Sequence, residues 1–125
     1  MQGLHLTADL QGCPIGCALM TDPAALRQLC LAAVQAAGLQ AVGELFHRFG
    51  APSGEPAGIT GVVLLAESHL AVHTWPELHA VTLDVYVCNF GADNTHKAHA
   101  LIDALLAAFQ PEQVERHAIK RGGAA

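Results

Sequence analysis

Apolar and polar residues alternate strictly along residues 4–10 (Leu-His-Leu-Thr-Ala-Asp-Leu). This period of two predicts a β-strand with one buried face, since successive side chains point to opposite sides of a strand. Other short alternating or continuously apolar segments predict five further strands, at residues 41–49, 59–66, 70–74, 81–87 and 114–120.

Two longer stretches carry apolar residues at helical spacing. Thr21-Asp22-Pro23 predicts the start of the first helix, because a capping side chain precedes a proline, and Gly38 predicts its end. Asp93-Asn94 predicts the start of a second helix that ends before Pro111. Between these helices, residues 50–58 (GAPSGEPAG) predict a loop.

Six strands with two interposed helices predict an α+β fold. We expect a two-layer sandwich, in which a largely antiparallel sheet carries two main helices on one face. The length of 125 residues predicts a single domain spanning residues 1–125. Because two helices cover only one face of the sheet, we expect a second copy to cover the other face in a homodimer.

Charge and hydropathy exclude several classes of function. Six basic against eleven acidic residues give a net charge of −5, which argues against a nucleic-acid surface. No apolar run is long enough to span a membrane, and the N-terminus lacks a signal-peptide pattern, so we expect a cytoplasmic protein. Four cysteines in so apolar a chain do not predict a disulfide framework, and Cys13 and Cys17 lack the second ligand pair of a zinc site.

Polar residues concentrate in the stretch LAESHLAVHTWPEL, residues 65–78, at the end of an apolar strand. His69 and His73 would lie about 13 Å apart on one strand, at roughly 3.3 Å per residue, which is too far for one ion. We therefore expect no metal site. A Ser68–His73 hydrolase dyad is also disfavoured, since the chain has neither a G-x-S-x-G turn nor an evident orienting acid.

A serine at a constrained strand end has another use. Its hydroxyl can attack the preceding carbonyl and convert the peptide bond into an ester. A base then removes the serine α-proton, and β-elimination followed by hydrolysis leaves a pyruvoyl group. This chemistry requires a hydroxyl nucleophile, a hydrogen-bond donor and a base, and Ser68, Thr60 and His73 are residues of these types.

The same stretch resembles the prokaryotic S-adenosylmethionine decarboxylases. Its most specific part is the Glu-Ser-His segment followed by His-Thr-Trp-Pro-Glu, and the resemblance extends along essentially the whole chain in the family's order. The matching segments are HLTADLQGC at 5–13, LFHRF at 45–49, GITGVVLLAESH at 58–69, ESHLAVHTWPE at 67–77, LDVYVC at 83–88 and IKRG at 119–122.

The resemblance implies self-cleavage between Glu67 and Ser68. The products would be a β chain of residues 1–67 and an α chain of residues 68–125 that begins with the pyruvoyl cofactor. This group would form a Schiff base with the substrate amine and accept the electron pair left by CO₂. The implied roles are processing base for His73, processing hydroxyl for Thr60, proton donor for Cys88, and binding of S-adenosylmethionine for Phe49, Trp75 and Glu77.

Three segments depart from the family pattern, all beside the implied substrate pocket. The 50–58 loop is long, Leu78-His79 replaces a usual aromatic-Gly pair, and Asn89-Phe90 follows Cys88 where glycine is usual. These departures leave the substrate open, and a pyruvoyl-dependent ornithine or arginine decarboxylase is the alternative. An unprocessed non-catalytic homologue is a separate alternative, against which the intact Ser68, His73 and Cys88 argue. The sequence does not indicate whether putrescine or another polyamine activates the protein.

Overall fold

A computed structural model describes residues 1–50 and 57–123 of the protein. These residues form six strands and two helices, with short 3₁₀ turns at Ala18–Met20 and Pro76–Leu78. The elements are β1 (Gln2–Gln11), α1 (Pro23–Ala36), β2 (Ala41–Arg48), β3 (Ile59–Leu65), β4 (Ser68–Trp75), β5 (Ala80–Cys88), α2 (Thr95–Phe109) and β6 (Gln113–Gly122).

The strands form one six-stranded sheet in the order β2-β3-β4-β5-β1-β6. Every neighbouring pair is antiparallel. β2, β3, β4 and β5 follow each other as a meander, whereas β1 lies between β5 and β6. The expected α+β sandwich with an antiparallel sheet is confirmed.

The core lies between the sheet and the two helices. Alternate residues of the strands are buried on this side, and helix residues such as Leu26 and Leu105 pack against them without solvent exposure. Burying a large aliphatic side chain contributes about 1.5–3 kcal/mol, so this layer supplies most of the stability. The side chains at its centre are Leu10, Leu70, Val72, Leu83, Val85, Ile102 and Phe109.

The helix starts agree with the sequence signals. The carboxylate of Asp22 accepts a hydrogen bond from the Ala24 backbone N–H (3.0 Å), and Pro23 occupies the first helical position. At α2, Asn94 is the N-cap residue but makes no side-chain cap bond. Asp93 accepts from the Thr95 N–H instead, and this hydrogen bond lowers the pKa of Asp93.

Several strand boundaries differ from the prediction by one or two residues, and two of them lie beside candidate site residues. β2 ends at Arg48 rather than at residue 49, and β4 begins at Ser68 rather than at residue 70. The earlier start arises because Ser68 pairs with Leu65 across a two-residue turn, so backbone pairing overrides the polar character of Ser68 and His69. Most of the predicted 50–58 loop, residues 51–56, lies outside the described residues.

Within residues 1–50 and 57–123, no helix covers the second face of the sheet. It carries polar side chains together with exposed aliphatic ones, among them Leu45 (69% exposed) and Leu64 (50% exposed). We call this surface the open face. It is the face on which we expected a second copy, and the homodimer stays a prediction. Among the described residues, no helix is both long and apolar enough to cross a membrane.

Candidate active site

The turn between β3 and β4 places Glu67 in a strained backbone conformation. Ala66 and Glu67 form the two-residue connection, and Glu67 has φ 57°, in the left-handed region that favours glycine. A non-glycine residue held there costs on the order of 1–3 kcal/mol. The peptide bond between Glu67 and Ser68 therefore adjoins a locally strained residue.

Ser68 contacts the end of β5. Its Oγ accepts a hydrogen bond from the backbone N–H of Cys88 (3.2 Å), a contact made possible because β4 and β5 are neighbours in the sheet. The Cys88 side chain is buried, and Ser68 is half-buried. Residues 20 positions apart in sequence thus form one group, which we call the turn group: Glu67, Ser68 and Cys88.

A cavity of about 470 Å³ opens beside the turn group. Glu67 and Cys88 line it together with Met1, Tyr86 and Phe90. Phe90 is 72% exposed, so one wall is an apolar ring facing solvent. This volume falls in the range of small-molecule sites.

Thr60 and His73 form a second group near the opposite end of β4. They are direct cross-strand partners, and Thr60 Oγ1 lies 3.1 Å from His73 Nδ1. The hydroxyl donates to Nδ1 when the ring carries its proton on Nε2. The Trp75 ring lies 5.9 Å from the His73 ring, centroid to centroid, and is 38% exposed. We call Thr60, His73 and Trp75 the histidine group.

The other two predicted binding residues lie at the margin of the histidine group. Phe49 is half exposed and meets the His47 ring edge-on at 4.8 Å, while His47 is the cross-strand partner of Thr60. Glu77 is exposed in the Pro76–Leu78 turn that follows Trp75. Both side chains are therefore available to a ligand that reaches the histidine group.

One chain does not bring the turn group and the histidine group together. Ser68 and His73 are five residues apart on β4, which is about 16 Å at roughly 3.3 Å per residue. Five is also an odd spacing, so Ser68 shares its side of the strand with buried Leu70 and Val72, while His73 lies on the open face. This geometry agrees with the sequence argument against a Ser68–His73 hydrolase dyad within one chain, and the processing roles of Ser68, Thr60 and His73 stay predictions.

The comparisons with known proteins support the family that the sequence resembles and the observed fold. A model of the family described as S-adenosylmethionine decarboxylase matches residues 4–122. The chain belongs to the S-adenosylmethionine decarboxylase family. The predicted enzyme class, carboxy-lyase, is thereby confirmed, whereas the roles of the individual residues stay predictions.

Similar members of the S-adenosylmethionine decarboxylase family come from both bacteria and archaea. The S-adenosylmethionine decarboxylase proenzyme of Persephonella marina is 37% identical over 120 residues, which cover 96% of this chain and 82% of the relative. That of Archaeoglobus fulgidus is 33% identical and covers 96% of this chain and 97% of the relative.

Solved structures of decarboxylases support the fold. The adenosylmethionine decarboxylase of Aquifex aeolicus superposes with a TM-score of 0.84 at 33% identity, covering 98% of this chain and 92% of that one. A Trypanosoma brucei AdoMetDC monomer superposes with a TM-score of 0.58 at 16% identity, covering 90% of this chain and 44% of that one. The second likeness concerns the fold alone.

Two departures from the decarboxylase pattern have structural roles. His79 adopts the left-handed conformation (φ 51°) for which glycine is favoured, and its Nδ1 donates to the Cys13 carbonyl (3.3 Å). Asn89 accepts from the Asn94 N–H (2.7 Å) and donates to Thr95 Oγ1 (3.1 Å). The chain after Cys88 is thus tied to the start of α2.

The sequence analysis missed a polar cluster on the open face of this decarboxylase. His5, Asp84 and Tyr86 meet His69 there, and the sequence pattern indicated a role for none of the first three. His5 and Asp84 are 79 positions apart, so no local spacing could reveal their contact. Only the placement of β1 beside β5 brings them together.

Proposed function

We propose that the protein is a pyruvoyl-dependent S-adenosylmethionine decarboxylase that activates itself by cleavage between Glu67 and Ser68. Its product would be the decarboxylated aminopropyl donor used in spermidine and polyamine synthesis. The observation that carries the proposal is the turn group, in which a serine hydroxyl follows a left-handed residue and accepts a hydrogen bond from the Cys88 N–H (3.2 Å).

The turn group suits self-cleavage. Ser68 Oγ attacks the Glu67 carbonyl carbon, the Glu67–Ser68 C–N bond breaks, and an ester links the two residues. A base removes the Ser68 α-proton, the Ser68 Cβ–Oγ bond breaks as a Cα=Cβ bond forms, and Glu67 leaves as a carboxylate that retains Oγ. Addition of water and loss of ammonia convert the remaining dehydroalanine into the pyruvoyl group. The strain at Glu67 favours the first step, because the cut relieves it.

The residues around Ser68 fit a pyruvoyl group. Glu67 and Cys88 flank it and line the 470 Å³ cavity, which gives a substrate amine access to this end of β4. The ketone supplies an electron sink for the pair left behind by CO₂. Cys88 then donates a proton to the substrate α-carbon, a role for which a thiol is suited near neutral pH.

Three side chains of the histidine group and its margin suit a nucleoside sulfonium. Phe49 and Trp75 offer exposed ring surface for stacking on a base, and Glu77 offers a carboxylate to ribose hydroxyls. The net charge of −5 favours a cationic substrate over an anionic one. These features support S-adenosylmethionine as the substrate.

The separation of the two groups supports a homodimer with shared active sites. Cleavage needs a base near Ser68, yet the chain's own His73 lies about 16 Å away. A second copy packed on the open face by a two-fold axis would bring its histidine group to the cavity lined by Glu67 and Cys88, next to the Glu67–Ser68 peptide bond of the first. The exposed Leu45 and Leu64 give this face the apolar surface that such packing would bury.

Ornithine or arginine decarboxylation is the second candidate. The exposed carboxylate of Glu77 would hold an ammonium or guanidinium as readily as a ribose, and Leu78-His79 changes the adjacent surface. S-adenosylmethionine is the preferred substrate because ornithine and arginine have no ring to stack on Phe49 and Trp75.

Two measurements test the proposal. Denaturing mass spectrometry of the purified protein is expected to show residues 1–67 and a second chain of residues 68–125 that begins with pyruvoyl, while Ser68→Ala remains a single chain. Carboxyl-labelled S-adenosylmethionine, ornithine and arginine are then assayed in parallel for CO₂ release. An uncleaved wild-type chain refutes both enzyme candidates, and CO₂ from an amino acid alone refutes the preferred substrate.

A further inference from the structure

Three potential metal ligands converge on the open face from three adjacent strands. His5 of β1, His69 of β4 and Asp84 of β5 each contribute one nitrogen or oxygen atom, and these atoms lie within 4.8 Å of one another. His5 and His69 are both cross-strand partners of Tyr86, so they flank β5 at the same level. All three residues are half-buried, which leaves one side of the cluster open.

We propose that His5, His69 and Asp84 form a binding site for a divalent transition-metal ion of the Zn²⁺ or Co²⁺ type. Two imidazoles and one carboxylate are ligands that these ions accept, with a fourth position left for water or another donor. Mg²⁺ is disfavoured because it prefers an all-oxygen shell. The short hydrogen bond between His5 Nε2 and Asp84 Oδ1 already holds two of the ligands together.

The sequence led us to expect no metal site, and the proposed site differs from that expectation. That expectation considered His69 with His73, which lie too far apart on one strand. The structure pairs His69 with side chains from the neighbouring strands instead. Ligands on three hydrogen-bonded strands need little reorganisation to bind an ion.

Tyr86 fixes the orientation of both imidazoles. Its ring stacks on His69 (5.8 Å between centroids, 26° between planes) and meets His5 edge-on (6.0 Å, 89°). Gly3 makes room for this ring, because a Cβ at position 3 would lie 2.5 Å from the Tyr86 hydroxyl oxygen. The two rings are thus held before an ion arrives.

The Arg121 side chain disfavours binding of the ion. Its guanidinium can only donate, so the contact from Nη1 to His5 Nδ1 (3.2 Å) places the His5 proton on Nε2, where it donates to Asp84. An ion at Nε2 displaces that proton, and the neutral ring must then carry a proton on Nδ1, facing the Arg121 donor. Arg121 must therefore withdraw, and its position 5.9 Å from the centre of the Tyr86 ring offers it another contact.

The ion needs neither the pyruvoyl group nor the substrate, although His69 directly follows Ser68 and Tyr86 also lines the cavity beside the turn group. Its test accordingly measures binding rather than turnover. The probes are Co²⁺ and Zn²⁺, added to the full-length protein after chelation and followed by calorimetry and by the visible spectrum of Co²⁺. We expect one ion per chain and a spectrum without the intense thiolate charge-transfer band that ligation by Cys88 would produce.

Four variants sharpen the test. Asp84→Asn and His5→Gln are expected to weaken binding at least about tenfold. Arg121→Gln is expected to tighten it, since the amide oxygen can accept from His5 Nδ1–H and the opposing charge is gone. His117→Ala is the matched control, because His117 contacts Glu115 (3.2 Å) in an exposed histidine–carboxylate pair without a third ligand, and it should leave binding unchanged.

Binding that is unchanged in both Asp84→Asn and His5→Gln overturns the proposal, as does a thiolate band that disappears in Cys88→Ala. Tighter binding in Arg121→Gln together with weaker binding in either ligand variant supports it. Circular dichroism and thermal unfolding show whether each variant is folded. Because the two ligand variants lie on different strands, the test remains decisive even if one of them does not fold.

Discussion

The hydroxyl of Thr60 lies 3.1 Å from Nδ1 of His73, its direct cross-strand partner. The two side chains lie on the open face and contact each other directly. The contact fixes the direction of the imidazole, so that Nε2 points away from β3. When the ring carries its proton on Nδ1 and donates it to Thr60 Oγ1, the unprotonated Nε2 is suited to accept a proton from a group on the other side.

Thr60→Ala is expected to slow self-cleavage on the order of 100-fold, because the imidazole loses the partner that orients it. Thr60→Ser keeps the hydroxyl and should cleave at nearly the wild-type rate. The fraction of intact chain is followed by gel electrophoresis after cell-free synthesis. Equal rates for Thr60→Ala and wild type would contradict the assignment.

Two inactive variants are expected to complement each other. Ser68→Ala lacks the nucleophile and His73→Ala lacks the base, so each alone should remain uncleaved. In a mixed dimer, the Ser68→Ala chain supplies His73 to the intact Ser68 of its partner. Mass spectrometry of the co-expressed chains should then find cleavage in the His73→Ala chain only. No cleavage in a verified mixed dimer would contradict shared active sites.

Cys88→Ala is expected to separate activation from turnover. The contact with Ser68 uses the Cys88 backbone N–H, which the variant retains, so self-cleavage should proceed. Decarboxylation should fall by about 10²-fold or more, because the proton donor is lost. Chain masses report the first effect and CO₂ release the second. A failure to cleave would show that the thiol itself takes part in activation.

Thr74→Val is expected to destabilise the protein by about 1–3 kcal/mol. The buried Thr74 hydroxyl donates to the Met20 carbonyl (2.9 Å) and accepts from the Ile59 N–H (3.0 Å), and valine leaves both groups unpaired. Urea unfolding measures the free energy. Thr74→Ser is the control, since it keeps both hydrogen bonds and should cost less than Thr74→Val.

Cys30 is expected to make the folded state less stable at high pH. Burial raises the pKa of Cys30 from 9.0 to about 12, so as the pH rises the thiol ionises in the unfolded state before it ionises in the folded state. Above pH 9 the unfolded state holds fewer protons, and the free energy of unfolding falls by up to about 1.4 kcal/mol per pH unit until pH 12. Denaturation at several pH values should show a smaller decline in Cys30→Ala than in wild type. Equal declines would contradict the assignment.

Local patterns predicted most of the fold. The alternation at Leu4–Leu10, the Asp22-Pro23 helix start and the position of Pro111 each reflect backbone chemistry within a few residues. The position of β1 between β5 and β6 depends on contacts between residues 69 or more positions apart, which no local pattern encodes.

The site was predicted as a set of residues but not as an arrangement. The motif at residues 67–77 identified Ser68 and His73 together because they are near in sequence. A fully extended β4 then carries them apart and onto opposite sides of the strand. The cluster of His5, His69 and Asp84 had no sequence signal, since its members belong to three separate strands.

The position of β1 also governs what a cut at Glu67–Ser68 would leave behind. Residues 1–67 contain β1, β2 and β3, and residues 68–125 contain β4, β5 and β6. Since β1 is inserted between β5 and β6, the two fragments interleave and share three strand-to-strand ladders. They could not part without dismantling the sheet. Activation would therefore change the covalent connectivity of the molecule while its fold remains a single, inseparable body.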